Sequence, residues 1–167
     1  MIGEHILKIG ILSDTHNNRE AVERVVALCP DAKLWLHAGD CVPDAEYLEM
    51  LTDTGVAKVA GNSDFFSADA PNAVIVEAAG HKIFLTHGHS FGVRFGVDEL
   101  INVAKENGCD MAVYGHTHVA QILPGEVTVI NPGSASRPRD EMRPSFAVAE
   151  LTENNAPQAK IIRFDEA

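Results

Sequence analysis

Apolar residues run along this chain in short blocks, and most blocks end in a polar cluster that contains glycine. The first block, Lys8–Ser13 (KIGILS), is too short for a helix and reads as a buried strand. Asp14–Asn18 follows as a loop. Arg19–Leu28 is a predicted helix, because Val22, Val25, Val26 and Cys29 recur at helical spacing on one face and Pro30-Asp31 stops the run. Lys33–His37 is a second strand. Asp44–Thr54 is a second helix, with Leu48 and Leu51 expected to face inward. Ala57–Ala60 is a short third strand that runs into the loop Gly61–Ser67.

Strands dominate the second half. Ala73–Ala78 and His81–Thr86 flank Gly80 as a hairpin. Val97–Asn107 is a helix closed by Gly108. Met111–Tyr114 is a further buried strand. Gln121–Leu123 and Val127–Asn131 surround Pro124-Gly125, and Phe146–Leu151 and Lys160–Phe164 are joined by the polar turn Thr152–Gln158. An alternating first half and a strand-rich second half predict an α/β protein of two packed sheets with helices outside. With no repeat, linker or low-complexity stretch, residues 1–167 read as one domain.

Composition narrows the partners. The formal net charge is −11, which argues against wrapping long nucleic acid, where affinity comes from many Lys and Arg contacts. A small phosphate ester stays open, because bound divalent ions become the dominant local charges of a site. Cys29, Cys41 and Cys109 are odd in number and widely spaced, so a disulfide framework is not expected. The apolar stretch Ile6–Leu12 contains Lys8 and is too short for a membrane span or a signal-peptide core. The expectation is a cytoplasmic, soluble protein with no membrane partner. Phe65, Phe66, Phe91 and Phe95 could line a pocket or cover a contact between copies, which leaves a homo-oligomer open.

The chemistry sits in five polar clusters at predicted strand ends: Asp14-Thr15-His16, Gly39-Asp40, Gly61-Asn62-Ser63-Asp64, His87-Gly88-His89 and Gly115-His116-Thr117-His118. Five of the eight histidines fall in them. Singly, each cluster is an ordinary turn or cap. Together, at the carboxyl ends of strands where α/β sheets bind ligands, they point to one pocket. A binuclear hydrolytic site holds its ions roughly 3.5–4 Å apart and needs a bridging ligand. Asp40 is the natural candidate for that bridge. Imidazole and oxygen ligands without thiolate suit Mn, Fe, Zn or Ni. Asn62 adds a neutral amide oxygen beside an anionic substrate. In extended backbone the i and i+2 side chains point the same way, so Asp14/His16 and His116/His118 could each enter one pocket from one segment.

This motif set, D-x-H, GD, GN, H-G-H and G-H-T-H, resembles the calcineurin-like metallophosphoesterase superfamily over about residues 8–150. The short length and Asn131–Ser134 (NPGS) resemble its small bacterial and archaeal branch, the YfcE-type phosphodiesterases. The resemblance implies a two-sheet α/β sandwich flanked by helices. It also implies two divalent ions per chain, typically manganese or a relative. One would be held by Asp14, His16, Asp40 and His118, the other by Asp40, Asn62, His87 and His116. Many members carry a histidine after the GN asparagine that assists the leaving group, whereas Ser63 stands here. His89 is a candidate for touching phosphate or donating that proton. Asp64 could orient a ligand from behind, and Arg137 and Arg139 could clamp substrate oxygens or stay solvated.

The expected activity is hydrolysis of a small phosphodiester by attack of a metal-activated hydroxide, with Asp40, Asn62 and His89 closest to the chemistry. The rival is a non-catalytic protein-interaction scaffold of the same fold, as in a retromer subunit, which has no need to retain a full ligand set.

Overall fold

The computed structural model describes residues 5–66, 69–140 and 142–164. Its elements, in chain order, are β1 (Leu7–Leu12), α1 (Arg19–Leu28), β2 (Leu34–His37), α2 (Val42–Thr52), β3 (Gly55–Lys58), β4 (Ala73–Ala78) and β5 (His81–Thr86). A 3-10 turn at His89–Phe91 leads to α3 (Asp98–Glu106). Strands β6 (Met111–Val113), β7 (Gln121–Leu123), β8 (Thr128–Asn131), β9 (Ser145–Leu151) and β10 (Gln158–Arg163) complete the chain.

The strands form two five-stranded sheets, ordered β10-β9-β1-β2-β3 and β4-β5-β6-β8-β7. In the first, β1 pairs in parallel with β2 (Ile9↔Leu34) and β2 with β3 (Leu34↔Gly55), while β9 runs antiparallel to β1. In the second, β5, β6 and β8 are parallel. Each sheet therefore sends the carboxyl ends of its parallel strands to one edge, where loops replace the ladder.

Three apolar layers fix this stack. Ile9, Ile11, Leu36, Ile83, Met111 and Val113 meet between the sheets, all fully buried. Val22 and Val25 of α1 and Leu48 of α2 pack with Trp35, Phe146 and Val148 of the first sheet. On the far side Leu100 and Ala104 of α3 cover Phe84, Ala112 and Val129. Because sites such as Ile11 or Leu85 are closed on all sides, truncation to Ala there should cost about 2–5 kcal/mol.

The expected two-sheet sandwich with outer helices is what folds, and its three hairpins pair as read. Several boundaries differ. Helix α2 opens at Val42, two residues before the predicted Asp44, because Cys41 takes a left-handed conformation and Pro43 fits the first turn. It closes early because Asp53 is also left-handed (φ 51°). Pairing with β2 then sets β3 at Gly55–Lys58 instead of Ala57–Ala60, and β10 begins at Gln158 instead of Lys160. Leu51 was expected inward, yet it lies on the exposed side at 42%, since the buried face of α2 runs through Val42, Ala45 and Leu48. The predicted loop Gly61–Ser67 ends outside the described residues at position 67.

Candidate metal centre

The parallel strands deliver the clusters. Asp14 and His16 follow β1, Asp40 follows β2, Asn62 follows β3, His87 follows β5, and His116 and His118 follow β6. The backbone that carries them is not extended. Asp14 (φ 55°), His16 (φ 48°), Asp40 (φ 57°), His116 (φ 68°) and His118 (φ 59°) all occupy the left-handed region. The sequence argument from strand alternation is thereby corrected: tight left-handed turns, not pleat, bring each D-x-H and H-x-H pair to one side. Such residues each cost on the order of 1–2 kcal/mol, and they concentrate where function over-determines the backbone.

The side chains gather in two adjoining groups. Asp14, His16, Asp40 and His118 offer ligand atoms that all lie within 4.8 Å of one another. Beside them Asn62 Oδ1 lies 3.0 Å from His87 Nε2 and 3.0 Å from His116 Nδ1. One atom, Asp40 Oδ2, borders both groups, 3.8 Å from His16 Nε2 and 3.4 Å from His87 Nε2. Asp14 Oδ1 is buried and makes no hydrogen bond among the described residues, although His118 Nε2 is 3.1 Å away. A buried carboxylate oxygen without a donor, facing imidazole nitrogens, is costly by itself and fits a cation.

Hydrogen bonds behind the groups decide which ring nitrogens face in. His87 Nδ1 donates to the Ala38 carbonyl (2.6 Å) and His118 Nδ1 to the Arg137 carbonyl (2.7 Å). Each Nε2 is thereby turned to the centre: the neutral ring presents a lone pair there, the tautomer a metal ligand needs, while charged His87 donates from Nε2 to Asp40. Asp14 Oδ2 accepts from the Ser13 hydroxyl (2.7 Å) and the His116 N–H (3.0 Å), while Ser134 Oγ donates to the Asp14 carbonyl (2.8 Å). The Asp64 carboxylate takes the backbone N–H groups of Asp40 (3.0 Å), Val42 (3.0 Å) and Gly61 (2.8 Å), and Cys41 N–H lies 3.1 Å away. It thus ties the β2 and β3 loops together through backbone N–H groups. Two glycines are required by closeness: a β-carbon on Gly61 would strike the Asp40 carboxylate, and one on Gly115 would strike Ser13.

Burial and charge oppose each other across the centre. Burial disfavours the ionised Asp40, but hydrogen bonding to His87, the His87 charge and the Ser63 N–H outweigh it and hold the carboxyl well below the usual range. Burial likewise disfavours charged His87, yet Asp40 and Asp14 raise its pKa. His116 is pushed down to about 4 by burial, then by His87 and Arg94, and burial also lowers His16. Both rings are therefore neutral at pH 7 and have a lone pair to give.

A cleft of about 350 Å³ opens from this centre, lined by His16, Asp40, Ser63, Phe65, Phe66 and Arg137 among others. Of the aromatic residues singled out in the sequence, Phe65 and Phe66 thus wall the cleft, while Phe91 packs on Phe84 with ring centroids 5.8 Å apart. Phe95 projects outward, 97% exposed. His89 opens the 3-10 turn with its ring 5.4 Å from that of His87. Arg139 contributes a backbone N–H to the His118 carbonyl. Sequence reasoning missed Arg94, whose Nε donates to His116 Nε2 at 3.0 Å. It lies in an irregular loop and no local motif marks it. It also missed His37, which sits fully buried under the Asp14 loop.

Comparison with known proteins follows the geometry. Residues 7–154 match the calcineurin-like phosphoesterase superfamily domain. The chain is 31% identical over 167 residues to a probable metallophosphoesterase, YsnB, of Bacillus subtilis, covering 96% of this chain and 92% of that one. It is 32% identical over 172 residues to the phosphodiesterase YfcE of Escherichia coli K12, covering 87% and 88%. Among solved structures, a predicted phosphoesterase of Streptococcus pneumoniae superposes with a TM-score of 0.77 at 29% identity, over 96% of this chain and 99% of that one. No helix among the described residues is long and apolar enough to cross a membrane.

Proposed function

The chain belongs to the calcineurin-like phosphoesterase superfamily, and on that premise we propose that it is a binuclear-metal phosphodiesterase acting on a small phosphodiester. The observation that carries the reading is the position of Asp40 Oδ2 on the border of two ligand groups, next to the undonated Asp14 Oδ1. Asp14, His16, Asp40 and His118 would hold one divalent ion, and Asp40, Asn62, His87 and His116 the second, with Mn or a related ion suited to this donor set. When bound, such a pair supplies Lewis acidity towards phosphoryl oxygens and lowers the pKa of the attacking water.

The protein's own part is placement. Asp40 would serve both ions, and its lowered pKa keeps it ionised for that role. Asn62 contributes an oxygen without adding negative charge beside the ester. The Ala38 and Arg137 carbonyls hold His87 and His118 in the ligating tautomer. The cleft leads the ester towards Asp40 between Arg137 and the Phe65-Phe66 wall. In a chain of net charge −11, attraction of an anion has to be this local, which favours a small diester over long nucleic acid.

The test is reconstitution with Mn²⁺ after chelation, ion counting, and a screen of cyclic nucleotides, dinucleotides and aryl diesters beside monoesters. Two ions per chain and faster diester turnover are expected, with both lost in Asp40→Ala. One ion or none in the wild type, or full activity in Asp40→Ala, overturns the reading. Absence of turnover on every ester would instead favour the scaffold.

A further inference from the structure

Arg94 is the one cationic side chain that hydrogen-bonds a candidate ligand ring among the bonds of the described residues: its Nε lies 3.0 Å from His116 Nε2. The other nitrogen of that ring, Nδ1, lies 3.0 Å from Asn62 Oδ1, inside the second ligand group. A neutral imidazole has one lone-pair nitrogen and one N–H. Nε2 accepts from Arg94, so Nδ1 carries the proton and donates it to Asn62. An ion held at Nδ1 needs the lone pair there. The ring proton then stands on Nε2, pointing at the guanidinium, and Nε2 no longer accepts. Filling the second group and keeping the Arg94–His116 bond exclude one another.

The released guanidinium has room to move. Arg94 is itself exposed, in an irregular turn between Gly92 (φ 59°) and Gly96 (φ 141°). Arg137, which lines the cleft with His16, flanks the first ligand group, but among the described residues no Lys or Arg other than Arg94 is seen to bond a residue of the second. We propose that Arg94 is a substrate-binding residue: occupation of the second ligand group frees it from His116, and its guanidinium takes a non-bridging oxygen of the phosphodiester. The inference rests on the phosphoesterase reading and adds an order to it, ions before ester. Planar paired donors match a phosphoryl edge better than a point charge, so Lys should replace Arg94 only in part.

The rival role for Arg94 is simply to position His116 for the ion, and the two roles part in a binding experiment. In the full chain, Mn²⁺ affinity without phosphate and inorganic-phosphate affinity of the Mn²⁺-loaded protein are measured by calorimetry for wild type, Arg94→Ala and Arg94→Lys. The expected result is Mn²⁺ binding in Arg94→Ala as tight as wild type or tighter, because a competitor for His116 is gone. Phosphate binding should weaken by about 10- to 100-fold, with Arg94→Lys between. Weaker Mn²⁺ binding in Arg94→Ala makes it a positioning residue and overturns the proposal. Unchanged phosphate affinity overturns it as well while leaving the phosphoesterase reading standing. Loaded wild type that binds no phosphate and cleaves no diester sinks both.

Discussion

His16 and His118 meet nitrogen to nitrogen, Nε2 to Nε2 at 3.2 Å, although 102 residues separate them. His118 Nδ1 is committed to the Arg137 carbonyl, so its Nε2 brings a lone pair to this contact, with Asp14 Oδ1 3.1 Å away. An arrangement so rich in acceptors is relieved by a cation. Ions that bind only the folded state at 100 times their Kd stabilise it by about 2.7 kcal/mol. For a chain of this size that is a rise in Tm of about 5–10 °C. His118→Ala should lose much of that rise while its Tm in chelator changes less. Scanning calorimetry with and without Mn²⁺ checks this, and an equal metal-induced rise in the variant would refute it.

Asp64 makes a second prediction because its carboxylate is a structural clamp. Four backbone N–H groups from the β2 and β3 loops converge on it. One of these, Val42 N–H, is an open donor at the start of α2, where Cys41 provides no side-chain cap. Hydrogen bonds to a charged acceptor contribute about 1.5–3 kcal/mol each when lost with the donor left buried. Asp64→Ala should therefore destabilise by about 3 kcal/mol or more and lower Tm by roughly 6–12 °C. Asp64→Asn should fall between. A Tm for Asp64→Ala within a degree or two of wild type would show that water satisfies these donors equally well.

Asp64 and the paired histidines also mark what the sequence could and could not disclose. Strand ends were legible from apolar blocks, and D-x-H and G-H-T-H were legible as polar clusters after them, because both signals are local. Asp64 was legible as standing two residues after the asparagine, but its four-fold clamp depends on how two loops meet. The left-handed turns at Asp14, Asp40 and His116 were not legible, since non-glycine residues adopt them only under tertiary constraint. Arg94 and His37 were missed for the same reason: neither has a motif, and each acquires its partner only when distant loops converge. The shift of β3 to Gly55 follows from register with β2, a long-range fact.

His37 carries a pH prediction. It is fully buried, its Nδ1 accepts the Gly39 N–H (3.2 Å), and its Nε2 meets Thr15 Oγ1 (3.0 Å) between two candidate ligands. Burial pushes its pKa down from 6.5 to about 4, despite the charges of Asp44, Asp14 and Asp64. Between those values the unfolded state binds the extra proton, so stability rises with pH there. The contribution, on the order of 3 kcal/mol, is complete above about pH 6.5 and lost as pH falls towards 4. His87 has the opposite sign, so the measurement is a difference: urea unfolding of wild type and His37→Gln in chelator from pH 4 to 7.5. The gap between them should narrow on acidification. A gap constant with pH would mean that His37 is not kept neutral by the fold.

The last prediction concerns who protonates the leaving oxygen. Ser63 occupies the place next to Asn62, exposed at the cleft, and its backbone N–H donates to Asp40 Oδ1 at 3.0 Å. A serine hydroxyl is too weak an acid to give up a proton near neutrality, whereas a histidine near 6.5 can. Outside the seven candidate ligands, His89 supplies a ring beside the centre. Its Nδ1 makes no hydrogen bond among the described residues, and its ring lies 5.4 Å from His87 and 6.2 Å from His116. Burial, and then the His87 charge, lower its pKa, so at pH 7 only a small fraction is protonated. General-acid help is worth roughly 10²–10⁴-fold, and a nitrophenolate needs little of it because it departs readily as an anion. An alkoxide such as a ribose hydroxyl needs most of it. Rates across a series of aryl and alkyl diesters should therefore fall steeply as the leaving group's pKa rises. His89→Ala should steepen that slope, sparing nitrophenyl esters while slowing alkyl esters, and the alkyl rates of wild type should improve below neutral pH until His116 and the other ligands protonate. Parallel slopes for wild type and His89→Ala would remove His89 from proton transfer, and a flat slope in both would place the donor on a residue other than Ser63 or His89.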